Sequence, residues 1–155
     1  MNGRILVDHE IEARIGVEVL PAEGADPIAP AQIQPASLDL RLGARAYRLR
    51  AGFLPGKGSL QERVDSLSTS VIDLTGEGAV LERGVVYLIP LQESLDLAPG
   101  TQARFNPRSS TGRCDIFTRV LLPGHPRFDE APPGFRGQPW IEVVPLSFPV
   151  RLGRG

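Results

Sequence analysis

Glycine and proline occupy 32 of the 155 positions, 17 and 15 respectively, spread along the whole chain. Proline lacks the N–H that a helix interior needs, and glycine is the next poorest helix former. Such punctuation cuts the chain into short pieces and predicts an all-β (mainly β) domain with many turns. Short strands are expected over residues 71–74, 79–81, 94–97, 101–105, 116–122, 140–144 and 146–150. The longest apolar run, 85–91, reads as a core strand. Residues 21–35, 52–70 and 123–133 read as loops. One short N-terminal helix is expected, capped by Asp8, with Ile11, Ile15 and Val19 as its apolar stripe.

Residues 37–43 alternate strictly. Leu38, Leu40 and Leu42 face one way, Asp39 and Arg41 the other, giving a half-buried strand closed by Gly43. Asp39 and Arg41 read either as a surface ion pair, which contributes little, or as groups near a ligand. The length suits one domain with one core over residues 1–155. The ending, Arg151-Leu152-Gly153-Arg154-Gly155, is abrupt, since a last strand needs pairing or cover. A partial chain is one expectation that follows.

The formal charge is −1, so bulk electrostatics point to neither nucleic acid nor an anionic membrane, and any anion site must be local. No apolar run approaches the roughly 18 residues of a membrane span. Met1-Asn2-Gly3-Arg4 lacks the apolar core of a secretory signal. The one cysteine, Cys114, rules out an internal disulfide, reads as a small buried residue, and makes a reducing cytoplasm the default. No C-x-x-C, H-E-x-x-H or P-loop is present. His9 and His125 are far apart, and His9-Glu10-Ile11-Glu12 lacks the H-x-E order of zinc deaminases. A protein-bound zinc is therefore not expected.

Phe105-Asn106-Pro107-Arg108-Ser109-Ser110-Thr111-Gly112-Arg113-Cys114-Asp115-Ile116-Phe117 concentrates the chain's reactive groups. Hydroxyls, backbone N–H groups and two guanidinium forks suit a multiply charged phosphate ester. The same residue types also build an ordinary polar turn. A second segment, residues 134–143, carries a lone carboxylate, Glu142, inside an apolar strand. Glu142 faces either outward, as strand alternation permits, or inward, where desolvation would raise its pKa and make it a better base.

Three segments together carry a family resemblance. Ile33-Gln34-Pro35-Ala36-Ser37-Leu38-Asp39-Leu40-Arg41-Leu42-Gly43 resembles the first motif of the dCTP deaminases. Arg108-Ser109-Ser110-Thr111-Gly112-Arg113 resembles their phosphate and catalytic motif. Gly134-Phe135-Arg136-Gly137-Gln138-Pro139-Trp140-Ile141-Glu142 resembles their third, a Gly-x-x-Gly followed five residues later by glutamate. The order is that of the dCTP deaminase and dUTPase superfamily. The spelling from Asn106 to Arg113 is closer to a long, two-domain branch, to whose first half this chain would correspond.

The resemblance implies a distorted β-barrel of jelly-roll type, assembled as a homotrimer with sites between subunits. It implies dCTP and dUTP as ligands, Mg²⁺ carried in with the triphosphate, and no protein-bound zinc. It implies Glu142 as general base, Ser109 holding the attacking water and Arg113 offsetting charge on the ring. Arg108, Ser110, Thr111 and Gly112 would hold phosphates. Trp140 and Ile141 would read the pyrimidine through backbone groups, with the indole of Trp140 alternatively serving only as core. Asp129 would join the substrate site, although residues 128–134 are longer than the family's usual turn. The implied activity is hydrolytic deamination of dCTP to dUTP and ammonia. A dUTP diphosphatase, alone or combined with deamination, and a nucleotide-binding domain without turnover are the alternatives.

Overall fold

The computed structural model describes residues 3–54, 56 and 58–155. Pro55 and Lys57, within the expected 52–70 loop, lie outside the described residues, as do Met1 and Asn2 of the N-terminal segment. The fold is mainly β. Its centre is a five-stranded antiparallel sheet in the order Ile116–Leu121, Trp140–Pro145, Val86–Pro90, Arg45–Leu49, Ser68–Asp73. Strand Glu93–Asp96 joins Val19–Pro21 and Arg136–Gly137 in a second sheet. Three two-stranded pairs complete the described strands: Glu130–Ala131 with Ala103–Arg104, Val150–Leu152 with Ala79–Leu81, and Ile33–Gln34 with Ser37–Leu38. Among the described residues the sheets do not close into one barrel.

Each face of the central sheet buries an apolar cluster, because side chains alternate along each strand and apolar residues occupy both sets of positions. One face buries Ala46, Tyr87, Ile89 and Val143 against Leu74 and Leu81. The other buries Leu49, Leu88, Leu121 and Trp140 under Leu60 and Val64 of a helix. Each such large side chain contributes about 1.5–3 kcal/mol when fully buried. A third cluster, including Leu95, Leu97, Val120 and Phe135, joins the second sheet to the first.

Several elements differ from those the sequence predicts. The first helix, α1, spans only Asp8–Glu12; Val7 is its N-cap, and Val19 lies in a strand. The 52–70 segment holds a second helix, α2, Leu60–Leu67, whose N-cap Ser59 accepts from the N–H of Glu62. A third helix, α3, Ser109–Arg113, stands where a turn was one reading. Residues 37–43 form strand only at Ser37–Leu38, with Leu42 bridging Leu91. The last strand is Val150–Leu152, later than expected. Cys114 is exposed, not buried.

Asp39 and Arg41 do not pair with each other. Arg41 turns inward and its Nε donates to Glu93 Oε1 at 2.8 Å, while its N–H donates to Oε2 at 2.9 Å. Gln32 Nε2 donates to the same carboxylate at 2.9 Å. Glu93 is fully buried. A buried carboxylate this well satisfied is costly to strand, about 3–5 kcal/mol if its cation is removed. The network fastens the first motif to the second sheet and leaves Asp39 pointing elsewhere.

Candidate active site

Glu142 sits in the middle of strand Trp140–Pro145 and is 3% exposed. Register places it opposite Arg119 on one neighbouring strand and Leu88 on the other. It faces inward, so of the two readings of an isolated strand glutamate the buried one holds. Arg119 Nη2 donates to Glu142 Oε2 at 3.2 Å. Arg119 Nε lies 2.9 Å from Oε1, but the angle is too poor for a hydrogen bond, and this buried N–H has no other partner among the described residues. The ion pair is therefore close in Coulombic terms and incompletely hydrogen-bonded. An unsatisfied buried donor costs about 1–3 kcal/mol.

The surroundings fix the guanidinium. Its carbon lies 4.0 Å from the centroid of Phe128 and 5.8 Å from that of Phe117. Arginine stacks on aromatic faces in this way because its cation is planar and weakly hydrated. Gly52 passes directly over the pair. A Cβ built there would come to 3.0 Å from both Arg119 Nη2 and Glu142 Oε2, so a side chain at this position would press on the pair and shift it by a few tenths of an ångström. Arg119 carried no assignment in the sequence reading. The signal was present: a charge inside the apolar run 116–122, the same feature that singled out Glu142.

The phosphate-like motif lies on α3, and none of its residues is buried. Ser109, Ser110, Gly112 and Arg113 are exposed and Thr111 is partly exposed. The N–H groups of Thr111 and Gly112 donate to the Arg108 carbonyl at 2.9 and 3.2 Å, so their free hydrogen-bonding groups are elsewhere. A Cβ on Gly112 would meet nothing within 4 Å among the described residues, so this side is open to approach. Arg108 Nη2 stands 3.4 Å from Asp39 Oδ2, which also accepts from Gln34 at 3.2 Å. The first and second motifs thus meet through that pair. The Arg108 side chain is largely solvated and that of Asp39 half-buried, so the pair aims Arg108 more than it stabilises the fold.

Asp129 adopts φ 60, and its Oδ1 accepts from the Val120 N–H at 2.7 Å. Its own N–H returns to the Val120 carbonyl at 3.0 Å. It fastens the turn after strand Ile116–Leu121. The Trp140 indole packs in the core 5.6 Å from the Tyr47 ring, as one of its two readings had it. Trp140 and Ile141 are flanked by paired strands on both sides. Within one chain, therefore, the sequence-selected residues form two groups. Glu142, Trp140 and Ile141 lie in the sheet, while Ser109 to Arg113 lie on an outer helix with Arg108 as its N-cap; Asp129 stands apart from both, in the turn after strand Ile116–Leu121. Among the described residues Arg119 is the one side chain that pairs with Glu142. No group of three or more His, Cys, Asp or Glu side chains converges on a point among the described residues, and no helix there is long and apolar enough to cross a membrane.

The family model described as the 2'-deoxycytidine 5'-triphosphate deaminase N-terminal domain matches residues 2–155. The chain is similar to a dCTP deaminase of Natronomonas pharaonis, 31% identical over 97% of this chain and 75% of that one. It is similar to a dUMP-forming dCTP deaminase of Halobacterium salinarum, 29% identical over 96% of this chain and 73% of that one. A crystal structure of 2'-deoxycytidine 5'-triphosphate deaminase from Agrobacterium tumefaciens superposes with a TM-score of 0.89 at 45% identity, covering 97% of this chain. The match spans 44% of that solved chain, so this chain corresponds to less than half of its length. On motif order, fold and extent of match, this chain belongs to the 2'-deoxycytidine 5'-triphosphate deaminase family.

Proposed function

We propose that the chain hydrolyses the amine from C4 of dCTP, bound as its Mg²⁺ complex, giving dUTP and ammonia. The observation that carries this reading is Glu142, a buried carboxylate in an otherwise apolar strand, at the family motif's glutamate. Water is a poor nucleophile at neutral pH and needs a base. Glu142 takes a proton from water as the oxygen–C4 bond forms, and gives one to the departing amine as the C4–nitrogen bond breaks. Ser109 holds the water and Arg113 offsets negative charge on the ring. Trp140 and Ile141, on a strand paired on both sides, support Glu142 from within the sheet, and Asp129 fastens the turn after strand Ile116–Leu121. No protein-bound zinc is required.

Ser109 and Arg113 project from an exposed helix while Glu142 is largely buried in the sheet. A site containing all three is best supplied by neighbouring copies, in a homotrimer. Light scattering at micromolar concentration is expected to give three times the chain mass, and a monomer alone would refute the shared site.

Product analysis tests the activity: ammonia from dCTP, unchanged after zinc chelation, is the expected result. Pyrophosphate released alongside ammonia favours a second reading, a dUMP-forming enzyme, motivated by the similar Halobacterium salinarum protein. Tight dCTP binding without product leaves a non-catalytic nucleotide-binding domain. Arg108→Ala is expected to act on affinity more than on turnover. Losing one charged hydrogen bond to phosphate weakens binding by about 1.5–3 kcal/mol. Isothermal titration with dCTP measures it, and unchanged affinity would remove Arg108 from the phosphate site.

A further inference from the structure

We propose that Arg119 is a positioning residue for Glu142, fixing the plane of its carboxylate so that Oε1 stays available to the attacking water. The inference rests on the deaminase reading and adds a residue outside the three motifs. Three observations carry it. Arg119 sits directly opposite Glu142 in the strand register and is its side-chain partner on both oxygens, Nη2 to Oε2 at 3.2 Å and Nε near Oε1 at 2.9 Å. Only the contact to Oε2 has hydrogen-bond geometry, and Oε1 accepts no hydrogen bond from a side chain among the described residues, so it keeps acceptor capacity for a water. Finally, the guanidinium is itself held, by the Phe128 face at 4.0 Å and by the close passage of Gly52.

A base gains from such a clamp because reaction requires a narrow range of geometry, and a displacement of about 1 Å can cost roughly 10²-fold in rate. A lysine at this position would keep the charge but lose the planar fork that sets the carboxylate's orientation. Lysine also gives up the stacking on Phe128, so the comparison in a Glu142→Gln background separates positioning from packing.

The test measures ammonia release and equilibrium dCTP binding for the wild type, Arg119→Lys, Glu142→Gln and the double variant, with thermal unfolding of each. Arg119→Lys is expected to lower kcat by roughly ten- to a hundredfold, with dCTP affinity and unfolding midpoint close to wild type. In the Glu142→Gln background the lysine exchange is expected to cause no further loss. Normal kcat in Arg119→Lys overturns the positioning role while leaving the deaminase reading intact. An equal loss in both backgrounds also overturns it, because the effect then does not pass through Glu142. A wild type that binds dCTP and releases no ammonia overturns the deaminase reading and the positioning role together. Should Arg119→Lys fold poorly, Phe128→Leu replaces it. Removing the aromatic face while keeping the ion pair is expected to lower kcat more than affinity, and an unchanged kcat overturns the proposal.

Discussion

Glu142→Gln is expected to reduce ammonia release by about 10²–10⁴, the usual contribution of a general base, with dCTP binding retained. Glutamine keeps the volume that the strand packs around, so the neighbouring Leu88 and Trp140 need not move. Its amide oxygen can still accept from one Arg119 donor, but its NH₂ then faces the other. Some stability is lost with the ion pair. The loss stays below the ~3–5 kcal/mol of breaking a fully buried pair, because the Arg119 side chain is 28% exposed and its stranded charge reaches water. Ammonia release and dCTP binding, measured on protein shown folded by thermal unfolding, decide the matter. Near-normal turnover in Glu142→Gln would remove the base from this position. Asp129 would be a poor substitute, since one of its carboxylate oxygens is engaged by the Val120 N–H.

Glu142 was legible because a carboxylate between Ile141 and Val143 is costly to bury without purpose. Its partner was not. Arg119 lies in a separate strand, 23 residues earlier in sequence, and sequence alone does not say which residues two strands bring opposite each other. The same gap hid the fate of Arg41. Alternation over 37–43 set Asp39 and Arg41 on one face, yet Arg41 turns inward to Glu93 while Asp39 meets Gln34 and Arg108, and all of Leu38 to Leu42 are half-buried; the segment is strand only at its start. A buried carboxylate that recruits a distant arginine overrides local patterning.

The helix Leu60–Leu67 shows a different failure. Ser59, Leu60, Val64 and Leu67 carry both a cap and an apolar stripe at helical spacing. The glycines before it and the polar residues along it masked that signal. The segment matters for the site, since Leu60 and Val64 cover the sheet face that carries Glu142, and Gly52 upstream crosses the Arg119 pair. The reactive character of 108–113 was legible from residue types. Its position on an exposed helix, away from Glu142 in the same chain, depends on tertiary contacts that no local pattern encodes.

Gly43→Ala is expected to destabilise the domain by about 1–3 kcal/mol or more, the cost of forcing extra volume into a packed site. The sequence offered Gly43 as the residue that closes a strand. The structure gives it a stricter role: its N–H donates to the Pro90 carbonyl at 2.8 Å, and a Cβ there would stand 2.4 Å from that same oxygen. The obstacle is backbone, so no side-chain rotation relieves it. Either the first motif lifts away, losing the Gly43 bond and straining the Leu42–Leu91 bridge, or strand Val86–Pro90 shifts. The second route moves Leu88, which lies beside Glu142, so activity should fall along with stability. Thermal unfolding measures the effect, at roughly 2–4 °C per kcal/mol for a domain of this size. Gly100→Ala is the control, since a Cβ there meets nothing within 4 Å, and surface changes of that kind stay within about 0.5 kcal/mol. Equal unfolding midpoints for the two variants would show that the first motif is not packed against Pro90 as described, and would release Gly43 from any part in shaping the site.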